Sequence, residues 1–245
     1  MDIHISLAAE KIGEFWGVPL TNTLLMAWVV MAFLLITGFW VGRSVSLTPG
    51  KVQLAFESLF DYVLTYMHET FGNRRLAEKF FPLIATIFLF IFTSNMLQFI
   101  SGVGSVGFFH GKEFTPLLRS VNTDFNVTLA LAIISFLVIE ISGFVVLGFL
   151  KYSKKFVNFS SGMGFFLGIM EFISELARLV SFSFRLFGNI FAGEVLIAVA
   201  IAFLPYFLPV PLLLYELFVG LIQAAIFALL TLFFIKLAIA EPEHH

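Results

Sequence analysis

Apolar residues gather in long, nearly unbroken runs. A hydrocarbon layer of about 30 Å is crossed by roughly 20 residues of helix. The chain offers that length at 20–42, 80–100, 127–150, 166–203 and 212–238. The pattern changes at 51–78, where Val52, Phe56, Leu59, Phe60, Val63 and Met67 recur at helical spacing with acids and lysine between them. That arrangement predicts an amphipathic helix lying in the interface, not a span. The expected fold is all-α: one polytopic membrane domain over 1–245, about five passages, one interfacial helix, and a final hairpin turning at Leu204–Pro211.

The run 166–203 is too long for an upright span. As one helix it would measure about 57 Å, almost twice the hydrocarbon thickness. It is expected to be strongly inclined, bent or partly outside the bilayer. A steep incline suits a helix laid against a tall or curved neighbour.

Composition agrees with a lipid environment. The chain is 60% hydrophobic and 12% charged, against about 25% charged in soluble domains. A net charge of −2 gives no nucleic-acid footprint. The absence of cysteine excludes disulfides and thiolate metal sites. The first residues, MDIHISLAAEKIGEFWG, lack the basic and apolar regions of a cleavable signal. No internal repeat is visible, which disfavours an inverted-repeat transporter.

Basic residues orient the spans. Arg43, Lys51, Arg74, Arg75, Lys79, Lys151, Lys154, Lys155 and Lys236 fall on one side, and Lys11, Lys112 and Arg119 on the other, nine against three. The N-terminus is expected outside and the C-terminus inside.

Three motifs carry no chemistry. GVGSVG at 102–107 has no strand or βαβ unit around it and reads as a loop. Asn126-Val127-Thr128 and Asn158-Phe159-Ser160 match the glycosylation pattern, but the first is better read as a helix start capped by Asp124 or Asn126. Gly164 and Gly168 are spaced for close helix packing.

The informative residues are the charges inside the last two runs: Glu171, Glu175, Arg178, Arg185, Glu194 and Glu216, with Gln223 nearby. An ionised group at the membrane centre costs at least about 2.5 kcal/mol, so each is a functional candidate. At about 100° per residue, Asn189, Ser181, Arg178, Ser174 and Glu171 all fall within about 40° of Arg185. They form one polar stripe, and Glu194 lies on the opposite face. Glu216 and Gln223, seven apart, share a face of the last helix. One face could then meet a partner while the other meets the last helix. Glu140 stands alone in the third span, and Asn95 and Gln98 in the second could line a water path or bond between helices.

With these residues in view, the string RLFGNIFAGE at 185–194 resembles the signature of subunit a of F-type ATP synthases. Glu171, Ser174, Arg178 and Ser181 precede it, and Glu216 and Gln223 follow, at the family's spacing. PLIATIFLFIFTSNMLQFISG at 82–102 and RSVNTDFNVTLALAI at 119–133 are similar to two of its spans. The resemblance implies a stator beside a rotating ring of c subunits, with peripheral-stalk b subunits and the other synthase subunits as partners. It implies two offset aqueous half-channels and no catalytic site, cofactor or metal. Arg185 would be the essential arginine, supported by Asn189. Glu194, Glu216 and Gln223 would serve the outer half-channel, with Asn95 and Gln98 as further candidates, and Glu171, Ser174 and Arg178 the inner one. A guanidinium fits the role because it stays charged when buried, where lysine can lose its proton. The expected location is an energy-transducing membrane, in a bacterium the inner (plasma) membrane.

The sequence departs from the family in two places. Some members pair a histidine with the outer glutamate, whereas Glu216 occupies that position and no histidine lies in a span. Gln98 stands where some bacterial relatives have an acid. The alternative from another class is an ion-coupled secondary transporter; a third is a membrane scaffold, which would not explain two arginines in one stripe.

Overall fold

The computed structural model describes residues 9–15, 17–46, 50–99, 106–110, 113–153, 156, 162–204 and 207–240. Most of the glycine string at 102–107, the Asn158–Ser160 pattern, and Lys112, Lys154 and Lys155 lie outside the described residues.

The chain is an all-α membrane protein with two small hairpins. The helices are α1 (Asn22–Ser44), α2 (Lys51–Phe71), α3 (Arg74–Leu97), α4 (Phe125–Leu147), α5 (Phe149–Ser153), α6 (Gly162–Phe203) and α7 (Pro209–Ile239). Strands β1 (Lys11–Phe15) and β2 (Val18–Thr21) pair antiparallel, as do β3 (Gly107–His110) and β4 (Glu113–Pro116). Among the described residues, α1, α3, α4, α6 and α7 are long and apolar enough to cross a membrane. Helix α2 is not, and exposes Leu54, Phe56, Leu59 and Phe60.

Helix starts and stops have local causes. Thr21 caps α1 by accepting from the Leu24 amide at 3.2 Å, and Asp124 caps α4 by accepting from Asn126 at 3.0 Å. The helix expected over 51–78 is two elements. Gly72 takes the left-handed conformation at φ +65° and returns its N–H to His68 at 2.8 Å, which closes α2. Asn73 then caps α3 at the Arg75 amide, 2.9 Å away, so the second apolar helix begins at Arg74 and not near residue 80. At the other end, α7 opens on Pro209, where a missing N–H does no harm. Gly168 faces the carbonyl of Phe156, so this small residue accommodates the preceding connection and not a second helix.

Four helices make the core. α7 packs along α3, α4 and α6, and α4 packs along α6. Ile84, Ile87 and Ile91 from α3, Ile139 from α4, Phe182 and Leu186 from α6, and Phe227, Leu232 and Ile235 from α7 are buried together. α1 leans on α3, with Met26 and Val30 against Val121 in a smaller cluster. Helix α6 has 42 residues and so extends about 63 Å.

The hairpins and the segment 117–124 sit at the N-terminal end of α1. Asn22 joins them, accepting from the Glu10 amide at 3.3 Å and donating to the Pro116 carbonyl at 3.4 Å. Thr23 donates to Asp124 at 2.8 Å, both buried. A polar loop is thereby folded into the helix bundle and not left over it.

Candidate functional site

The stripe on α6 is assembled in three dimensions. An Arg185 nitrogen donates to Ser181 at 3.2 Å, and Arg178 pairs with Glu171 at 3.6 Å. The Arg178 guanidinium also lies over the Phe234 ring of α7, 5.0 Å from its centre, a contact that favours a cation. Ser174, Arg178, Ser181 and Arg185 line one open recess of about 270 Å³, floored by Leu230 and Phe234 of α7. Ser181 and Asn189 are exposed, and Arg185 is partly exposed. The stripe therefore borders the outer surface of the bundle and is accessible to a neighbour.

Asn189 links the stripe to α7, donating to Gln223 at 2.9 Å. Gln223 and Glu216 share the buried side of α7 and lie outside the lining of the recess. Glu216 rests against Gly193, where an added methyl would stand 2.9 Å from its carboxyl carbon. Gln98, which caps the C-terminus of α3, reaches Glu216 at 3.5 Å, the limit of a hydrogen bond, and itself accepts from Ser120 at 2.6 Å. Deeper in, Asn95 donates to the Gly220 carbonyl at 2.8 Å and accepts from Asn122 at 2.7 Å. Gly220 makes this approach possible, because a side chain there would meet Asn95 at 3.0 Å.

Glu194, on the far side of α6, faces Arg119 at 3.7 Å. That distance is an ion pair but too long for a hydrogen bond. Glu194 Oε2, Asn122 Oδ1 and Gln223 Nε2 are buried and make no hydrogen bond within the protein. Polar atoms left open in this way mark positions where a passing water or ion finds partners. Among the described residues no three His, Asp or Glu side chains gather as metal ligands would.

The structure thus groups the sequence candidates into two sets. Ser174, Arg178 and Arg185 border the recess, with Glu171 paired to Arg178, while Glu194, Glu216, Gln98 and Asn95 line a partly buried polar seam between α3, α6, α7 and the segment 117–124; Asn189 and Gln223 stand at the junction. Three residues of that seam were not singled out by sequence: Arg119, read only as a loop charge, Ser120 and Asn122. Their signal was the string RSVNTD at 119–124, polar yet directly before an apolar run. Glu140, without a partner in the sequence reading, accepts from the Tyr152 hydroxyl of α5 at 3.1 Å.

Comparison with known proteins identifies the family. The family model described as ATP synthase A chain matches residues 24–236. ATP synthase subunit a, sodium ion specific, from Propionigenium modestum is 31% identical, over 97% of this chain and 80% of its own length. ATP synthase subunit a of Helicobacter acinonychis is 30% identical over 92% of both chains. The Campylobacter jejuni subunit a is 32% identical over 89% of both. The chain belongs to the ATP synthase A chain family, the membrane-embedded ion-translocating subunit of the synthase.

Proposed function

We propose that this chain carries protons between two offset half-channels and a ring of c subunits, with Arg185 as the charge that separates them. The observation that carries this reading is the junction at Asn189–Gln223, where the Arg185 stripe meets the buried Glu216 side of α7 at 2.9 Å. The recess from Ser174 to Arg185, with Glu171 beside it on Arg178, serves the inner path. The seam of Glu194, Glu216, Gln98 and Asn95 serves the outer one. Along α6, Arg185 is seven residues from Arg178 and nine from Glu194, about 10 and 13 Å of rise. A permanent positive charge at that position attracts an ionised ring carboxylate and releases it once protonated, while repelling a proton that would leak straight across. The b subunits and the remaining synthase subunits are its further partners. The N-terminus faces outward and the C-terminus the cytoplasm of a bacterial plasma membrane.

The test is Arg185→Ala in the assembled synthase. ATP synthesis driven by a proton gradient is expected to vanish while the complex still assembles; normal synthesis would overturn the assignment. The sodium-specific relative makes Na⁺ the competing cargo. ATP-driven acidification of vesicles in sodium-free buffer is expected here. Hydrolysis that requires sodium, with acidification abolished in its absence, would favour the competing cargo.

A further inference from the structure

A second group of ionisable residues lies where the C-terminal half of α4, the short α5 and the first half of α6 meet. Glu140 comes from α4, Tyr152 from α5, and Glu175 and Arg178 from α6. Glu175 is 4% exposed and Tyr152 1%. Glu175 is about 80° around the helix from Arg185, outside the stripe, and its side chain is directed into the bundle. The Tyr152 ring is clamped between Phe144 and Phe156, at 4.6 and 5.6 Å. It also presses on Gly143, where any side chain would overlap it. Burial, reinforced by the charges of Glu175 and Glu140, raises the Tyr152 hydroxyl far above the usual tyrosine range. It therefore remains a donor to Glu140.

Glu140, Glu175 and Arg178 wall a small cavity of about 10 Å³, close to the space one water molecule needs. Its other walls are apolar, including Phe136, Ile139 and Phe182. Arg178 also lines the open recess that reaches Arg185. Arg178, with Phe182 and Phe234, thus stands between this cavity and the exposed stripe.

We propose that Glu175 is a further proton-carrying residue, and that Glu140, held by Tyr152, positions it, so that a branch of the inner path runs through the α4–α6 seam past Arg178. This rests on the reading that the Arg185 recess carries the transported proton. The transfer is balanced. A hydronium in the cavity gives its proton to a Glu175 carboxylate oxygen, one O–H bond forming as another breaks, and a water and a neutral acid remain. The reverse step delivers the proton to a water in the recess. Arg178 exchanges no proton, because its guanidinium stays charged; it stabilises the carboxylate that is left behind.

The experiment uses the whole synthase in sealed vesicles. Glu175→Gln keeps the volume and hydrogen bonding but holds no exchangeable acid. ATP-driven proton uptake is expected to fall roughly tenfold or more, about 1.4 kcal/mol in barrier, with partial recovery in Glu175→Asp. Infrared difference spectra of the same complex, taken across a pH step, are expected to lose a protonated-carboxyl C=O band in Glu175→Gln. Uptake at the parent rate overturns the proposal. Slow uptake with the band unchanged also overturns it, because that pattern is a structural defect. Arg185→Ala is measured alongside. If it is inactive while Glu175→Gln is normal, only this branch fails; if Arg185→Ala itself pumps, the reading of the recess fails first.

Discussion

At Gly193 a methyl group would stand 2.9 Å from the carboxyl carbon of Glu216 and 3.1 Å from its Cγ. The only relief is movement of the Glu216 side chain, which is 5% exposed and has little room. Gly193→Ala is expected to displace that carboxyl from Gln98 and lower ion translocation by roughly tenfold, with the complex still assembled. Gly220→Ala acts differently, since its clash at 3.0 Å is with the Cβ of Asn95 and separates α3 from α7. Overpacking of this kind costs about 1–3 kcal/mol, to be read as a lower dissociation temperature of the complex. Gly38→Ala on α1, where nothing lies within 4 Å, is the control and leaves both measurements unchanged. Translocation at the parent rate in Gly193→Ala would remove Glu216 from the path. At this scale the sequence was informative for charges within apolar runs, because hydrocarbon makes each one costly. It was silent on Arg119, 8% exposed, because nothing in a loop charge announces that the loop is folded inward against Glu194.

Helices were legible wherever an apolar period ran for twenty residues or so, and α1, α3, α4, α6 and α7 are of that kind. The hairpins were not. Strands of four or five residues, such as Gly107–His110 and Lys11–Phe15, carry too short a pattern to stand out beside long apolar runs, and their place depends on distant partners such as Asn22 and Pro116. The division of 51–78 turned on one residue, Gly72 at φ +65°. Gly72→Ala is expected to cost about 1 kcal/mol by the strain of a left-handed alanine. It would favour a continuous α2–α3 helix, visible as lost exposure of the junction to proteolysis. The longest element makes a stronger demand. α6 has 42 residues, about 63 Å, against a hydrocarbon core of about 30 Å. Upright, it would put Phe165, Phe166 and Phe203, at 44, 55 and 77% exposed, beyond the apolar layer. An incline above about 40° for most of its length brings them nearer to it, bends allowed. Spin-label depth measurements along α6 in bilayers are the check, and an incline below about 25° in both α6 and α7 would contradict it.

For the molecule as a whole, direction matters as much as path, because the two proposed half-channels are distinguishable only by the faces they open on. Of the twelve spaced basic residues that orient the spans, nine fall on one side and three on the other, and such a bias places the richer side in the cytoplasm. The two ends of the bundle differ in build as well. The end holding β1–β4 and the segment 117–124 encloses the seam of Glu194, Glu216 and Gln98. The end holding α5 and the start of α6 leads to Glu171 and Ser174. If the basic bias governs, the first end is outside, and protons enter at Glu194 and leave past Glu171 during synthesis. The chain has no cysteine, so single thiols report position without background. Lys11 and Glu14 form an exposed pair at 2.8 Å, a kind worth less than about 1 kcal/mol, and Lys11→Cys is expected to fold normally. Lys51, exposed at the start of α2, is equally free to change. A membrane-impermeant maleimide added outside is expected to label Lys11→Cys and to leave Lys51→Cys unreacted until the membrane is opened; inverted vesicles give the opposite result. The reverse pattern in either preparation would exchange the two faces, so that the Glu194 seam would release protons into the cytoplasm and the Arg178 recess would collect them from outside.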